Sequence, residues 1–488
     1  MLYVSLKGHD WTYNIEDVVR LFLGFEKPVY VSEFQNTGLF LDSEVSKTNE
    51  GYFVINTLYN EGTVFSKIDS TVELGNASEC LKRARKEFKR QLYILLSQYL
   101  KKELPWGTFT GIRPAKTVHE LMEAGLDEES IKERLRNFYL ISERKTNLVY
   151  EVAKNELPVI KTTGPKKIGL YIGIPFCPTR CLYCSFTSNP IDKYNDKVVK
   201  YIEALKKELT ATWELIKEKG WQVQSIYMGG GTPTSISHEE LDMLLSHLCS
   251  TYDLSHMIEF TIEAGRPDSI THEKLETIKK YPVNRISINP QTMNDKTLEL
   301  IGRKHSAEDV RKAFFMARDH GFSNINMDII IGLPEEKLVD FEYTLSEIEK
   351  LSPENLTVHS LAVKRASRLK ENLDTYDLEN KDAELMVDAS YQSAKRMGMS
   401  PYYLYRQKNM VGNLENTGYC KVGFENNYNV QMMEETQTII AVGAGAVTKA
   451  LFNSENRIER AGNVKNVDDY INRIDEMIQR KINLFQSD

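Results

Sequence analysis

Between residues 168 and 361 the sequence alternates short apolar runs with longer amphipathic stretches. Six runs have the composition of buried strands, at 168–174, 225–228, 258–263, 285–289, 324–331 and 356–361. Helical spacing of apolar residues recurs between them, at 196–219, 238–251, 307–320 and 339–351. This alternation predicts a parallel sheet flanked by helices. Six units without a dinucleotide-binding fingerprint favour an α/β fold with an open (β/α)6 barrel, because a closed barrel needs eight units.

The chain of 488 residues is long enough for further regions on both sides of this barrel, which we place at 165–361. Residues 1–160 combine apolar runs with helical patterns over 77–102 and 127–155, and predict an N-terminal accessory α/β domain. Residues 362–488 end in a helical pattern over 467–483. We expect them to form an α+β region that covers the barrel mouth.

Charge and hydropathy exclude two classes of partner. The net charge of −7 argues against nucleic acid, which requires a basic surface. No stretch reaches the roughly 18–20 apolar residues needed to span a bilayer. The sequence after Met1 lacks a basic segment followed by an apolar run, so we expect a cytoplasmic protein.

Three of the six cysteines lie together at the end of the first predicted strand. Cys177, Cys181 and Cys184 have the spacing Cys-x3-Cys-x2-Cys. Three thiolates on one loop can bind three irons of a [4Fe–4S] cluster and leave the fourth open, whereas a full set usually takes four cysteines. S-adenosylmethionine (SAM) can fill the open position through its amino and carboxylate groups. The alternatives are a structural zinc site, for which the chain has no second cysteine pair, or three buried thiols.

Polar and glycine residues follow the later predicted strands, where parallel barrels place their chemistry. Gly229, Gly230 and Gly231 come after the second strand and would let backbone approach a ligand closely. The acids Glu263 and Asp328, with Gln291 and Arg303, could bind the amine, ribose and carboxylate of SAM. Taken singly, the glycines could form a plain turn and the polar residues could be caps or surface groups.

These motifs resemble the oxygen-independent coproporphyrinogen III oxidase family of radical SAM proteins. The resemblance covers about residues 165–450 and rests on 171–186, 229–234 and the Asp328-x3-Gly-Leu-Pro sequence. In residues 173–177, 364–367 and 403–410 the chain resembles the coproporphyrinogen dehydrogenase-like branch of Gram-positive bacteria, which also has an N-terminal domain like residues 1–160. The resemblance implies a [4Fe–4S] cluster on the three cysteines and SAM bound by Tyr171, Phe176, Gly230, Gly231, Thr232, Glu263, Gln291, Arg303 and Asp328.

The family's reaction is the oxidative decarboxylation of two propionates of coproporphyrinogen III, which gives protoporphyrinogen IX. We expect Tyr171 and Arg365 at the reacting substrate. Lys364 and Arg365 follow the last predicted strand, and a guanidinium can pair a propionate through two hydrogen bonds. Arg406 is a further candidate. The alternative for these residues is a solvated basic loop.

Two further functions stay open. The chain has Gly173 and Phe186 where the well-characterised oxidases have a histidine and a cysteine. A haem-binding chaperone, or a radical enzyme that acts on another tetrapyrrole such as haem, would also fit. His305 and His359 could ligate haem iron, although both also suit ordinary packing. We expect an electron donor such as flavodoxin or ferredoxin, and the basic stretch 81–102 is either its docking surface or a solvated helix face.

Overall fold

The structure is a computed structural model, and it describes residues 1–24, 26–73, 77–362, 382–407, 410–452 and 457–486. The chain divides into two compact units, Met1–Tyr150 and Glu151–Asp488. Among the described residues, none of the helices combines the length and apolar character that crossing a membrane would require.

The first unit is an α/β structure. Its described strands form one sheet in the order β2-β1-β3-β4-β5: β1 (Leu2–Lys7), β2 (Val29–Tyr30), β3 (Leu39–Thr48), β4 (Gly51–Asn60) and β5 (Thr63–Glu73). Its helices are α1 (Thr12–Leu23), α2 (Ala77–Leu100), α3 (Pro114–Glu123), α4 (Glu128–Asn137) and the first part of α5 (Glu143–Lys161). The core lies between the sheet and α1 and α2, where Trp11 meets Phe88 edge to face at 5.4 Å.

The predicted helical pattern over 127–155 corresponds to two helices. The structure has α4 and α5 with an interruption between them. Leu140 has a left-handed backbone with φ of 58°, and Tyr139 and Ile141 beside it are buried. The apolar residues that resembled one continuous helical face therefore include a buried turn.

The second unit contains the predicted strand–helix alternation. Its strands are β6 (Lys167–Ile174), β7 (Phe176–Cys177), β8 (Asn189–Pro190), β9 (Gln222–Gly230), β10 (Glu259–Glu263), β11 (Arg285–Ser287), β12 (Ile325–Ile331), β13 (Asn355–Ser360), β14 (Ser400–Tyr405), β15 (Asn416–Cys420), β16 (Thr438–Val442), β17 (Val447–Phe452) and β18 (Arg457–Gly462). Its helices are α6 (Val198–Glu218), α7 (His238–Thr251), α8 (His272–Lys279), α9 (Asp295–Leu300), α10 (Ala307–Asp319), α11 (Leu338–Leu351), α12 (Ala383–Arg396), α13 (Asn427–Glu434), α14 (Val467–Asn472) and α15 (Ile474–Gln486).

The six predicted barrel strands are confirmed and are neighbours in chain order. Across the described residues the sheet runs β14-β15-β13-β12-β11-β10-β9-β6-β16-β17-β18, and β6 and β9 to β13 are parallel. The end strands β14 and β18 do not pair with each other, so this sheet is open. The fold class is therefore the expected α/β fold with an open parallel barrel sheet.

The strands after residue 362 were not predicted to join this sheet. β16 pairs with β6 in parallel and extends the parallel set on that side, while β15 pairs antiparallel with β13 on the other. The predicted helix over 467–483 is also two helices, α14 and α15, which separate at Arg473. The last third of the chain therefore contributes to both edges of the barrel sheet.

Side-chain alternation along β6 shows how the strands position the site. Ile168, Leu170 and Ile172 are at most 1% exposed and join the main hydrophobic core. Tyr171, on the opposite face, stacks toward Tyr227 of the neighbouring strand with ring centroids 6.3 Å apart. Successive strand residues point to opposite faces, so one face builds the core and the other supplies polar groups to the barrel interior.

Candidate functional site

The cysteine loop begins at the carboxyl end of β6, as the sequence predicts. All six cysteines lie in described residues and none forms a disulfide. Cys177 Sγ lies 3.5 Å from Thr232 Oγ1, and Cys184 Sγ lies 3.8 Å from Ser188 Oγ. Burial raises the pKa of the Cys177 thiol to about 12 and also raises the pKa of Cys184. Their thiolate forms therefore need strong positive charge, which iron ions supply.

Backbone contacts hold this loop in place. The Leu182 N–H donates to the Ile301 carbonyl at 3.0 Å, and the Thr179 hydroxyl donates to the Gly302 carbonyl at 3.0 Å. These contacts join the cysteine loop to the turn that follows α9. The thiols therefore project from a braced loop although the loop has little regular secondary structure.

The glycines at the end of β9 and just after it form a cradle for the cysteine loop. The N–H of Gly231 donates to the Ile174 carbonyl and that of Thr232 to the Phe176 carbonyl, each at 2.7 Å. A Cβ on Gly231 would lie 2.4 Å from the Phe176 oxygen, and Gly230 has φ of 108°. The sequence suggested close approach to a ligand. The structure shows that Gly231 is needed for close approach to the loop that bears the cysteines.

Glu263 ends β10 inside the barrel. It accepts a hydrogen bond from the Tyr227 hydroxyl and another from the Gly230 N–H. Burial raises the pKa of Glu263 to about 7; the Tyr227 bond opposes this rise and the nearby Asp328 adds to it. A carboxyl group with this pKa can lose its proton near neutral pH when a hydrogen-bond donor binds beside it.

Asp328 lies on β12 with its carboxylate held at the interior face. Asn326 Nδ2 donates to it at 2.7 Å, and His359 Nε2 lies 3.7 Å away on the next strand. Gln291 reaches the same strand, since its N–H donates to the Asp328 carbonyl at 2.9 Å. Glu263, Gln291 and Asp328 therefore come from three consecutive strands of the sheet: the end of β10, the loop after β11 and the middle of β12.

Two amide oxygens in this part of the site have no hydrogen-bond donor among the described residues. They are Asn289 Oδ1 and Gln291 Oε1, and both atoms are buried. Buried polar atoms in folded proteins are normally paired. These oxygens are therefore suited to a ligand that carries N–H or O–H groups.

Arg303 is buried between two loops of the site. Its Nη2 donates to the Gly265 carbonyl at 3.0 Å, and its Nη1 lies 3.4 Å from the Tyr183 hydroxyl on the cysteine loop. Only 5% of the residue is exposed. Arg303 therefore bridges two loops of the site, and its role toward a SAM carboxylate stays a prediction.

Phe176 and Tyr171 also have defined positions. The Phe176 ring is fully buried and packs edge to face on Tyr201 at 5.3 Å, so its main-chain oxygen rather than its ring meets the glycine cradle. The Tyr171 hydroxyl lies 3.3 Å from the position of a Cβ on Gly230. Tyr171 is therefore next to the glycine loop, at the interior face of the sheet.

The structure describes only one of the three basic residues expected to bind the substrate's propionates. Lys364 and Arg365 lie outside the described residues. Arg406 is 6% exposed and its Nη2 donates to the Asn413 carbonyl at 2.7 Å. Its guanidinium therefore has a main-chain partner in this structure.

Sequence reasoning missed several residues of the site. Tyr428, from α13, stacks on Tyr227 with ring centroids 4.6 Å apart, and the Tyr405 hydroxyl lies 3.3 Å from His359 Nδ1. Tyr405 falls within the stretch that carries the family resemblance, which could have indicated it. Tyr428 has no local signal, because its place depends on how the chain returns after β15.

The donor set fits a cluster and SAM on observations of this structure. Three thiols that form no disulfide share one braced loop, the glycine cradle has no space for a side chain, and two buried oxygens have no donor among the described residues. Cys177, Cys181 and Cys184 would hold the cluster, and Glu263, Gln291 and Asp328 lie where polar groups of SAM could be bound.

Comparison with known proteins identifies the class of protein. Residues 171–348 match the model of the Radical SAM superfamily, whose members use a [4Fe–4S] cluster and SAM. The solved coproporphyrinogen III oxidase HemN of Escherichia coli has the same fold, with a TM-score of 0.51 and 20% identity over 66% of this chain and 72% of that one.

Sequence relatives narrow this class to a family. The chain is 42% identical over 382 residues to the oxygen-independent coproporphyrinogen-III oxidase-like protein HemZ of Bacillus subtilis, covering 77% of this chain and 76% of that protein. It is 34% identical to the heme chaperone HemW of the same organism, over 57% of this chain and 69% of that protein. The chain belongs to the coproporphyrinogen III oxidase-like family of radical SAM proteins.

Proposed function

We propose that this protein is a radical SAM oxidoreductase that acts on a tetrapyrrole, with coproporphyrinogen III as substrate and protoporphyrinogen IX as product. The supporting observation is the site itself. Glu263 at the end of β10 and Asp328 in β12 lie two strands apart in the sheet whose first barrel strand, β6, leads into the three cysteines. The chain that carries this arrangement is also 42% identical to a coproporphyrinogen-III oxidase-like protein.

In this proposal the protein's own residues bind and orient SAM. Glu263 accepts from an N–H of the SAM amino group, and Asp328 accepts from the ribose hydroxyls because a carboxylate offers two oxygens. Asn326 and His359 keep the Asp328 carboxylate at the interior face. When bound, the cluster and SAM supply the one-electron chemistry that removes hydrogen from the substrate.

The substrate's propionates require cationic partners. Arg365 is our first candidate from the sequence, with Lys364 beside it, and both follow the last barrel strand. An electron donor such as flavodoxin or ferredoxin would reduce the cluster. Free thiols on the cluster loop favour a reducing compartment, so we place the protein in the cytoplasm.

An anaerobic assay tests the reaction. Reconstituted protein, reductant, SAM and coproporphyrinogen III should give a product that has lost carbon dioxide from two propionates, read by mass spectrometry. The Cys181→Ala variant is the matched control and should give none. Reconstituted protein that cleaves SAM but leaves the porphyrinogen unchanged would contradict this reaction.

The second candidate function is a haem chaperone. The 34% identity to a heme chaperone supports it, as does Gly173 in place of the oxidase histidine. Titration with haem would then give a saturable absorbance change in protein that does not decarboxylate the porphyrinogen. Arg365→Ala should weaken binding of the tetrapyrrole in either function by tenfold or more, roughly 1.4 kcal/mol. Uncoupled SAM cleavage should persist in that variant.

A further inference from the structure

Arg266 is a buried arginine whose guanidinium reaches the cysteine loop. It follows β10 and is 3% exposed. Its Nη1 lies 3.8 Å from Cys181 Sγ, and the same nitrogen donates to the Thr179 carbonyl at 3.1 Å and to the Thr179 hydroxyl at 2.7 Å. One end of the side chain therefore faces both the backbone of the loop and a sulfur atom that would ligate iron.

The other edge of the guanidinium is fixed by Asp268. Arg266 Nε donates to one carboxylate oxygen at 2.9 Å and Nη2 donates to the other at 2.7 Å. His305, whose side chain is fully buried, places Nδ1 3.7 Å from Asp268 Oδ1. The two-point pairing fixes the plane of the guanidinium, so its remaining nitrogen cannot turn away from Cys181 without breaking a bond.

A fixed cation at this distance acts on the charge of the cluster. Hydrogen bonds to the sulfurs, net charge and solvent exposure set the reduction potential of an iron–sulfur cluster. Reduction adds one negative charge, which a nearby guanidinium stabilises, and water screens such a buried pair only weakly. Asp268 offsets part of this effect, because its negative charge lies on the other edge of the Arg266 guanidinium from Cys181.

We propose that Arg266, held by Asp268, is a positioning residue that donates a hydrogen bond to the Cys181 sulfur and raises the reduction potential of the cluster. The role concerns the cluster rather than the substrate. It therefore does not depend on whether the protein acts on coproporphyrinogen, haem or another tetrapyrrole.

The test is the midpoint potential of the cluster in the reconstituted full-length protein, followed by electron paramagnetic resonance. Arg266→Gln keeps the length of the side chain and removes its charge. It should make reduction at least tenfold less favourable, which is 59 mV for a one-electron couple. Arg266→Lys keeps the charge but loses the two-point pairing with Asp268. Its cluster potential should fall between those of the parent and the glutamine variant.

Two further variants separate charge from loop folding. Asp268→Asn leaves the arginine and removes its counter-charge, so the potential should rise. Arg285→Gln is the matched control: Arg285 is also buried and pairs with Glu259, but it starts β11 at the opposite end of the strands. Its substitution should leave the potential of the loaded protein unchanged.

The outcomes decide the proposal. Glutamine and asparagine variants that bind a full complement of iron with the parent's potential would show that Arg266 only braces the loop. Three variants that all fail to take up iron would also assign Arg266 to the folding of the loop. These variants are Arg266→Gln, Arg266→Lys and Asp268→Asn. Either result overturns the proposal. Opposite shifts in the glutamine and asparagine variants support it.

Discussion

The Tyr227 hydroxyl donates a hydrogen bond to the Glu263 carboxylate, which links the interior faces of β9 and β10. Both side chains lie inside the barrel, and Tyr428 covers the Tyr227 ring. The hydrogen bond favours the charged form of Glu263 while burial disfavours it, and burial is the larger effect. Near neutral pH the carboxyl group is therefore divided between its two protonation states.

SAM affinity should rise with pH between about 5.5 and 7. Below the Glu263 pKa of about 7, a hydrogen bond from the SAM amino group to the carboxylate requires loss of a proton from the carboxyl group, which weakens binding by up to tenfold per pH unit. Isothermal titration calorimetry at several pH values measures this slope. Glu263→Gln should bind SAM more weakly at pH 7, by roughly 1.5–3 kcal/mol, and show a flatter profile.

Tyr227→Phe gives the control for this prediction. Loss of the hydroxyl removes a donor to the carboxylate, so the pKa of Glu263 should rise further and the affinity profile should move to higher pH. The same slope in the glutamine variant as in the parent would show that another group titrates in this range.

Burial pattern explains how far the sequence predicts the fold. Parallel strands buried on both faces give continuous apolar runs, which located the six barrel strands. Helix α7 begins at its predicted residue because Ser237 and Glu240 form a capping box. The place of β16 beside β6 could not be predicted, because an apolar run of five residues does not indicate which strand it will pair with.

The site was predicted only in part for a related reason. The sequence indicated the cysteines and the polar strand ends because these residues lie next to strand ends in sequence. Arg266 and Tyr428 were missed, although Arg266 follows the end of β10. Arg266 resembles any loop arginine until the fold places it against Cys181, and Tyr428 reaches the barrel interior from a distant helix.

Gly231→Ala should destabilise the protein and impair cluster loading. The added methyl group would lie 2.4 Å from the Phe176 oxygen and 3.0 Å from the Ile174 oxygen, and backbone atoms can yield only by moving the cysteine loop. Overpacking of this kind costs about 1–3 kcal/mol. Thermal unfolding and iron content measure the two effects.

Gly164→Ala is the control, because among the described residues no atom beyond its two chain neighbours lies within 4 Å of its added Cβ. It should leave both quantities unchanged. A Gly231→Ala protein with the parent's stability and iron content would show that the two loops are not in close contact.

Each of the three clustered cysteines should be essential for cluster binding. Alanine at Cys177, Cys181 or Cys184 should abolish the absorbance of the reconstituted cluster, because a site with three thiols has no spare protein ligand. Cys80 and Cys420 are buried in other parts of the fold, and Cys249 lies on α7. Their alanine variants should keep the parent's iron content, and loss of iron in Cys420→Ala would contradict the assignment.

The last prediction concerns a buried ion pair that joins the C-terminal helix to the barrel. Glu208 on α6 is fully buried and accepts hydrogen bonds from Lys481 and Tyr470. It also accepts from the Gly443 N–H at 2.8 Å, and a Cβ on Gly443 would lie 2.4 Å from the Gly173 oxygen at the end of the first barrel strand. One carboxylate therefore connects α6, α15 and the turn beside the cysteine loop.

Removal of one partner should be costly, because the other charge stays buried without compensation. Lys481→Met should destabilise the protein by about 3–5 kcal/mol, and Glu208→Gln combined with Lys481→Met should recover part of the loss. Lys207 is the control, since its partner Asp475 is 79% exposed and exposed pairs contribute only about 0–1 kcal/mol. Chemical denaturation measures the midpoint of each variant. Equal midpoints for Lys481→Met and Lys207→Met would show that the C-terminal helix is not held by this pair.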